Sequence, residues 1–210
     1  MNIHKLITPR TAHYYSLNPT KTIKAVLIVI HGYAQAAEEF IQQFSHLAEE
    51  GILVVAPEGL SKFYGKSRLA VASWMTSMHR EDEIKDYNQF IESVYSDIKS
   101  IKVDKIAVLG FSQGVSTMLR WCSYTELKEF KVFACCGTIP PELNAKSFAS
   151  KKIHLDFYYG DKDPLFSQEK AEENMNKLKE LKINFSSTSY LGTHEVPCDC
   201  FRDVSQWANG

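Results

Sequence analysis

Apolar residues follow two rhythms along this chain. Ala25-Val-Leu-Ile-Val-Ile30 and Ile52-Leu-Val-Val-Ala56 are short, continuous and β-branched. Such runs are buried on both faces, as in the middle of a parallel sheet. Lys105-Ile-Ala-Val-Leu109 and Phe130 to Cys136 predict further strands. Lys152 to Tyr159 alternates, which predicts a strand with one less buried face, and Asn184 to Tyr190 predicts a final one. Tyr14, Tyr15 and Leu17 suggest a short edge strand ended by Asn18-Pro19. Between strands the period lengthens to that of a helix. Phe40, Ile41, Phe44, Leu47 and Ala48 predict a helix from Ala36 to Glu50, closed at Gly51. Ile84, Tyr87, Ile91, Val94 and Ile98 predict another from Asp82 to Ser100, with an acidic first turn. Val115, Met118, Leu119 and Cys122 mark a third. Ser167 caps a fourth that runs to Leu181, and Phe201, Val204 and Trp207 mark the last. Residues 60 to 80 lack a clean period and are expected to form a long, functional loop, and Gly137 to Ala149 a connecting loop. Strands alternating with helices predict an α/β fold: a mostly parallel central sheet with helices on both faces.

Composition narrows the function classes. The 210 residues suit a single domain, 1–210, able to bury roughly 70% of its unfolded surface. A formal net charge of -1 gives no reason to expect nucleic acid or an anionic membrane as partner. The longest apolar run, Ala25 to Ile30, is too short for stable membrane insertion. Met1 to Arg10 lacks the apolar core of a secretory signal, so the expected location is cytoplasmic. Five clustered cysteines do not form a disulfide framework, and Cys198-x-Cys200 has the wrong spacing for a zinc knuckle. No cofactor or metal is expected. A short apolar helix surface leaves a homodimer open as an assembly.

The chemistry centres on Gly110-Phe-Ser-Gln-Gly114. A Gly-x-Ser-x-Gly between a buried strand and a helix is a nucleophile elbow, in which the turn strains the serine and exposes its Oγ. Glycines suit positions 110 and 114 because strand and helix cross too closely there for a Cβ. A serine hydroxyl needs a base, and the base an orienting carboxylate. In such sheets the reactive loops gather at the carboxyl ends of the strands. After the strand ending at Tyr159 comes Gly160-Asp-Lys-Asp163-Pro164, where Asp163, held in a turn by the following proline, is favoured over Asp161. After the strand ending at Tyr190 comes Leu191-Gly-Thr-His194, making His194 the candidate base. His4, His13, His46, His79 and His154 are expected to have no role. The backbone N–H groups of Tyr33 and Gln113 are the candidate oxyanion donors. Phe63, Trp74 and Met75 of the long loop, with Ile139 and Leu165, could wall an apolar acyl pocket.

These motifs resemble those of the phospholipase/carboxylesterase family of α/β-hydrolases, which includes acyl-protein thioesterases. The resemblance rests on His31-Gly32, Gly110-Phe-Ser-Gln-Gly114, Cys136-Gly-Thr-Ile-Pro140, Gly160 with Asp163-Pro164, and Gly192-Thr-His194, and it spans about Val26 to Trp207. Close members carry Trp-Phe-Asp where this chain has Trp74-Met75-Thr76, and leucine where it has Tyr33. The resemblance implies an α/β-hydrolase fold without a large lid domain, and a serine esterase or thioesterase acting on small esters or acyl thioesters. The other readings are a hydrolase of peptides or lactones, and a non-catalytic ligand-binding protein on the same scaffold.

Overall fold

The continuous apolar runs occupy the middle of one twisted sheet. The computed structural model describes residues 1–210. Its main sheet has seven strands: β1 (Tyr14–Leu17), β2 (Ala25–Ile30), β3 (Ile52–Pro57), β6 (Ile106–Phe111), β7 (Glu129–Cys135), β8 (Lys152–Gly160) and β9 (Asn184–Tyr190). They stand in the order β1-β3-β2-β6-β7-β8-β9. All neighbours are parallel except β1, which runs antiparallel to β3 with Tyr14 opposite Pro57.

Helices cover both faces, which is why β2 and β3 are apolar at every position. Val26, Ile28 and Ile30 pack under α3 (Arg80–Ile98), α4 (Gln113–Tyr124) and α5 (Gln168–Glu180). Ala25, Leu27 and Val29 pack under α1 (Ala37–Phe40), α2 (Ser45–Glu49) and α6 (Cys198–Asn209). Strand alternation thus sends successive residues into two cores. No helix is long and apolar enough to cross a membrane.

Two expectations need correction. The helix expected over Ala36–Glu50 is broken: a 3₁₀ turn, Ile41–Phe44, separates α1 from α2. Ile41, Phe44 and Leu47 are all fully buried at a spacing of three, which matches the tighter 3₁₀ period. The stretch expected to be a loop over 60–80 holds a hairpin, β4 (Ser61–Tyr64) with β5 (Ala70–Ser73), paired Ser61 to Ser73. Its strands are only four residues long and half exposed, too short for a period to register. The hairpin is joined to the rest through Ala72, whose carbonyl accepts from Ala34 N–H at 2.9 Å and whose N–H donates to the Gln35 carbonyl at 3.0 Å. It therefore sits beside the loop that follows β2.

Candidate active site

The turn from β6 into α4 is as tight as its glycines suggest. A Cβ on Gly114 would lie 2.1 Å from the Ile30 carbonyl oxygen, and one on Gly110 2.7 Å from that of Gly114. Ser112 between them has φ 54° and ψ -119°, a conformation that L-residues rarely adopt. Its own N–H is anchored on the Cys135 carbonyl at 2.9 Å. The strain is held by contacts on both sides.

Loops after β8 and β9 bring two further side chains to it. The Ser112 hydroxyl lies 2.9 Å from His194 Nε2, and His194 Nδ1 lies 2.7 Å from Asp163 Oδ2. A carboxylate only accepts, so Nδ1 carries the proton and Nε2 is left to accept from Ser112. The other Asp163 oxygen accepts the N–H groups of Leu165 and Phe166 at 2.8 and 3.1 Å. The carboxylate is fully buried, yet all its bonds come from backbone and imidazole. Of the two aspartates in this turn, Asp163 reaches His194. Asp161 instead accepts from Gly192 N–H at 3.0 Å and braces the histidine loop from outside.

A second brace was not visible in the motifs. Tyr190, the last residue of β9, directs its hydroxyl at the carbonyls of Thr193 and Glu195, each at 2.8 Å. Those carbonyls flank His194. The same hydroxyl lies 3.0 Å from Cys136 Sγ, which also lies 3.6 Å from the Glu195 carbonyl oxygen and completes the cluster. Burial pushes the Tyr190 phenol up from its usual range, and pushes the Cys136 thiol up to about 12. Both groups therefore stay protonated and available as donors. Cys136 itself has φ 50°.

The opposite wall carries the candidate oxyanion donors. The Tyr33 N–H makes no bond to another loop, and Gln113 is the first residue of α4, where an N–H has no intrahelical partner. Each donor is held through a neighbour. His31 Nδ1 donates to the Gly32 carbonyl at 2.7 Å, while Nε2 accepts from Gly59 N–H at 3.0 Å. The Gly32 carbonyl belongs to the same peptide unit as the Tyr33 N–H. Burial lowers the His31 pKa to about 4, so the ring is neutral and keeps this one tautomer. The Gln113 side chain accepts from Trp74 N–H at 3.1 Å and donates to the Met75 carbonyl at 2.9 Å, tying α4 to the loop after β5.

The residues expected to wall an acyl pocket divide into two groups. Trp74 is fully buried, its indole N–H donates to the His31 carbonyl at 2.9 Å, and its ring lies 5.0 Å from that of His31. It packs the site from behind. Ile139 is also buried, its N–H held by Asn174. Met75 is half-buried. Tyr33 is 60% exposed and stacks against Phe63 at 5.5 Å, and Leu165 is 65% exposed. Of the expected residues, Phe63, Met75 and Leu165 are thus the ones that keep exposed surface. Tyr190 belongs to none of the sequence motifs, and His31, present in one of them, had no role assigned there. The signal for both was position, at the carboxyl end of a strand. For Tyr190 this was obscured by an otherwise exposed strand.

Comparison with known proteins places this arrangement. No curated protein sequence matches the chain. Among solved structures, esterase PE8 is similar at a TM-score of 0.72 and 17% identity, covering 95% of this chain and 99% of that one. Acyl-protein thioesterase 2 of Zea mays is similar at 0.69 and 16%, covering 95% and 98%. The Bacillus cereus carboxylesterase is similar at 0.66 and 16%, covering 94% and 93%. At these identities the likeness establishes the α/β-hydrolase fold. The sequence itself matches the Phospholipase/Carboxylesterase family over residues 14–209, nearly its whole length, and the chain belongs to that family of hydrolases.

Proposed function

We propose that this protein is a serine esterase or thioesterase, with Ser112 as nucleophile, His194 as general base and Asp163 as the orienting carboxylate. The observation that carries the reading is the unbroken hydrogen-bond series from Ser112 Oγ through His194 to Asp163, starting on a strained elbow. Ser112 attacks the ester or thioester carbonyl while Nε2 takes its proton. Asp163 holds the tautomer and stabilises the imidazolium that forms. The Tyr33 and Gln113 N–H groups receive the developing oxyanion, each contributing about 2.7 to 4 kcal/mol to the transition state. His194 then protonates the leaving group, and water repeats the sequence on the acyl-enzyme. The chemistry needs no cofactor. Tyr33, Phe63 and Leu165 are the apolar contacts for substrate. The structural neighbours, an esterase, a carboxylesterase and an acyl-protein thioesterase, support the reaction class. Five free thiols suit a reducing compartment such as the cytoplasm.

The test is hydrolysis of p-nitrophenyl esters and matching thioesters of increasing acyl length, with fluorophosphonate labelling. A burst of p-nitrophenol and a label on Ser112 are expected, both absent in Ser112→Ala. A binding protein on this scaffold would take up the acyl compounds without a burst. If the wild type is inactive on every ester and thioester and unlabelled at Ser112, the reading fails.

A further inference from the structure

Three strands each deliver one potential metal ligand to a point beside the reacting atoms. Cys136 follows β7, Asp163 follows β8 and His194 follows β9. One donor atom from each lies within 4.8 Å of the other two. The esterase reading gives His194 and Asp163 their roles in the reaction and gives the thiol no part in it. Yet the thiol is firmly placed: the Cys136 N–H is anchored on the Tyr158 carbonyl at 2.9 Å, and Sγ rests on the Tyr190 hydroxyl. Cys136 is 1% exposed, whereas the His194 side chain is 18% exposed, so the mouth at His194 is the way in.

We propose that Cys136, Asp163 and His194 form an inhibitory binding site for a thiophilic divalent cation, Zn²⁺ above all. The proposal rests on the reading of Ser112, His194 and Asp163 as the reacting set. A sulfur, nitrogen and oxygen set suits zinc and not the hard cations, which take oxygen. Zinc bonds these atoms at about 2.3, 2.0–2.1 and 2.0–2.2 Å, so a tetrahedral site spaces its ligand atoms roughly 3.3 to 3.6 Å apart. The Nδ1–Oδ2 pair, now at 2.7 Å, opens by about 0.6 Å, and the sulfur closes in by up to about 1.2 to 1.5 Å. Side-chain movement of that size fits a histidine carried on a loop. Water takes the fourth position.

The proton count explains why binding stops turnover. As the Zn–S bond forms, the Cys136 thiol proton leaves to solvent. As the Zn–N bond forms, Nδ1 loses its proton to water and Nε2 takes one up, so the ring stays neutral. The net release is one proton, and binding strengthens as pH rises. Nε2 now carries a hydrogen and donates toward Ser112, so the lone pair that accepted the serine proton is gone. Asp163 no longer orients the ring toward the nucleophile. The base is switched off while Ser112 itself is untouched, and a chelator reverses the effect.

Two measurements test this, one with turnover and one without. In metal-free buffer with p-nitrophenyl acetate, micromolar Zn²⁺ is expected to slow wild-type turnover at least about tenfold, and EDTA to restore it. Each variant is compared with its own metal-free rate. Cys136→Ser should raise the half-inhibiting Zn²⁺ concentration at least about tenfold, while Cys198→Ser, at the exposed cysteine, should leave it unchanged. Binding to Ser112→Ala is read by competition with a chromophoric chelator, and one Zn²⁺ bound with one proton released is expected. Because that arm needs no catalysis, it stands even if the esterase reading fails. Equal Zn²⁺ affinity in Cys136→Ser and its parent, no binding at about 100 µM, or loss of binding in Cys198→Ser alone would overturn the proposal.

Discussion

The chain contains two aspartate–histidine pairs, and they behave differently. Asp156 and His154 share a face of β8, with Nε2 3.0 Å from Oδ1, and Asp163 and His194 lie 2.7 Å apart at the other end of the sheet. Both carboxylates are largely buried. Asp156, however, also holds the Lys131 ammonium at 2.7 Å and the Ser186 hydroxyl at 2.7 Å. A cation already answers its charge, and His154 points out to solvent, 44% exposed. Asp163 has no such cation: its partners are two backbone N–H groups and one imidazole. Its charge is directed at the ring that meets Ser112. An aspartate beside a histidine is therefore not a catalytic signature. What distinguishes the second pair is an uncompensated buried carboxylate and a strained hydroxyl on the far nitrogen.

The sharpest test of that distinction is mutational. Ser112→Ala and His194→Ala are expected to lower kcat by about 10⁶-fold, and Asp163→Asn by about 10⁴-fold, in steady-state ester hydrolysis. Asp156→Ala should leave turnover within about a factor of two while costing about 3 kcal/mol in urea unfolding, because Lys131 loses its buried partner. Equal loss of turnover from Asp156→Ala and Asp163→Asn would erase the contrast. The strained elbow comes next. Gly114→Ala places its Cβ against the Ile30 and His31 carbonyls, and is expected to cost about 4 kcal/mol, or roughly 8–16 °C in Tm.

A smaller effect concerns the third histidine, His31, which has no carboxylate partner among its bonds. Its pKa is lowered by burial from 6.5 to about 4. Between those values the unfolded chain takes up a proton that the folded ring refuses, so stability falls with acid through this window and returns as pH rises to 6.5. The total is about 3 kcal/mol, and His31→Gln should flatten that part of the stability–pH curve. The smallest effect is expected at the brace. Tyr190→Phe should lower kcat about tenfold with KM unchanged, since it frees the two carbonyls around His194 without touching substrate. An unchanged kcat with a lower Tm would make Tyr190 a packing residue only.

Much of this was legible before the structure. The strand from Asn184 to Tyr190 appears with the expected bounds, as does the capping role of Ser167, whose side chain accepts from Lys170 N–H. Both follow from local rules: alternation for a strand, and a hydroxyl before a helical period for a cap. The hairpin at 61–73 was hidden because its stability comes from contacts with Gln35 and the stacked Tyr33–Phe63 pair rather than from its own pattern. The packing of Trp74 was hidden for a related reason. An aromatic in a loop reads as pocket lining until its indole is seen to bond a carbonyl from another strand end.

The sequence by itself determined the sheet, its two cores and the order in which serine, aspartate and histidine follow their strands. Periodicity and glycine placement are short-range, and each is written within a few consecutive residues. Only the tertiary structure decided that Asp163 and not Asp161 meets His194, that His31 holds the Gly32–Tyr33 peptide, and that Tyr190 and Cys136 stand beneath the histidine loop. Those choices depend on how the parallel strands end side by side. The bonds that matter span 28 to 82 positions along the chain, and only the packed sheet brings their partners together.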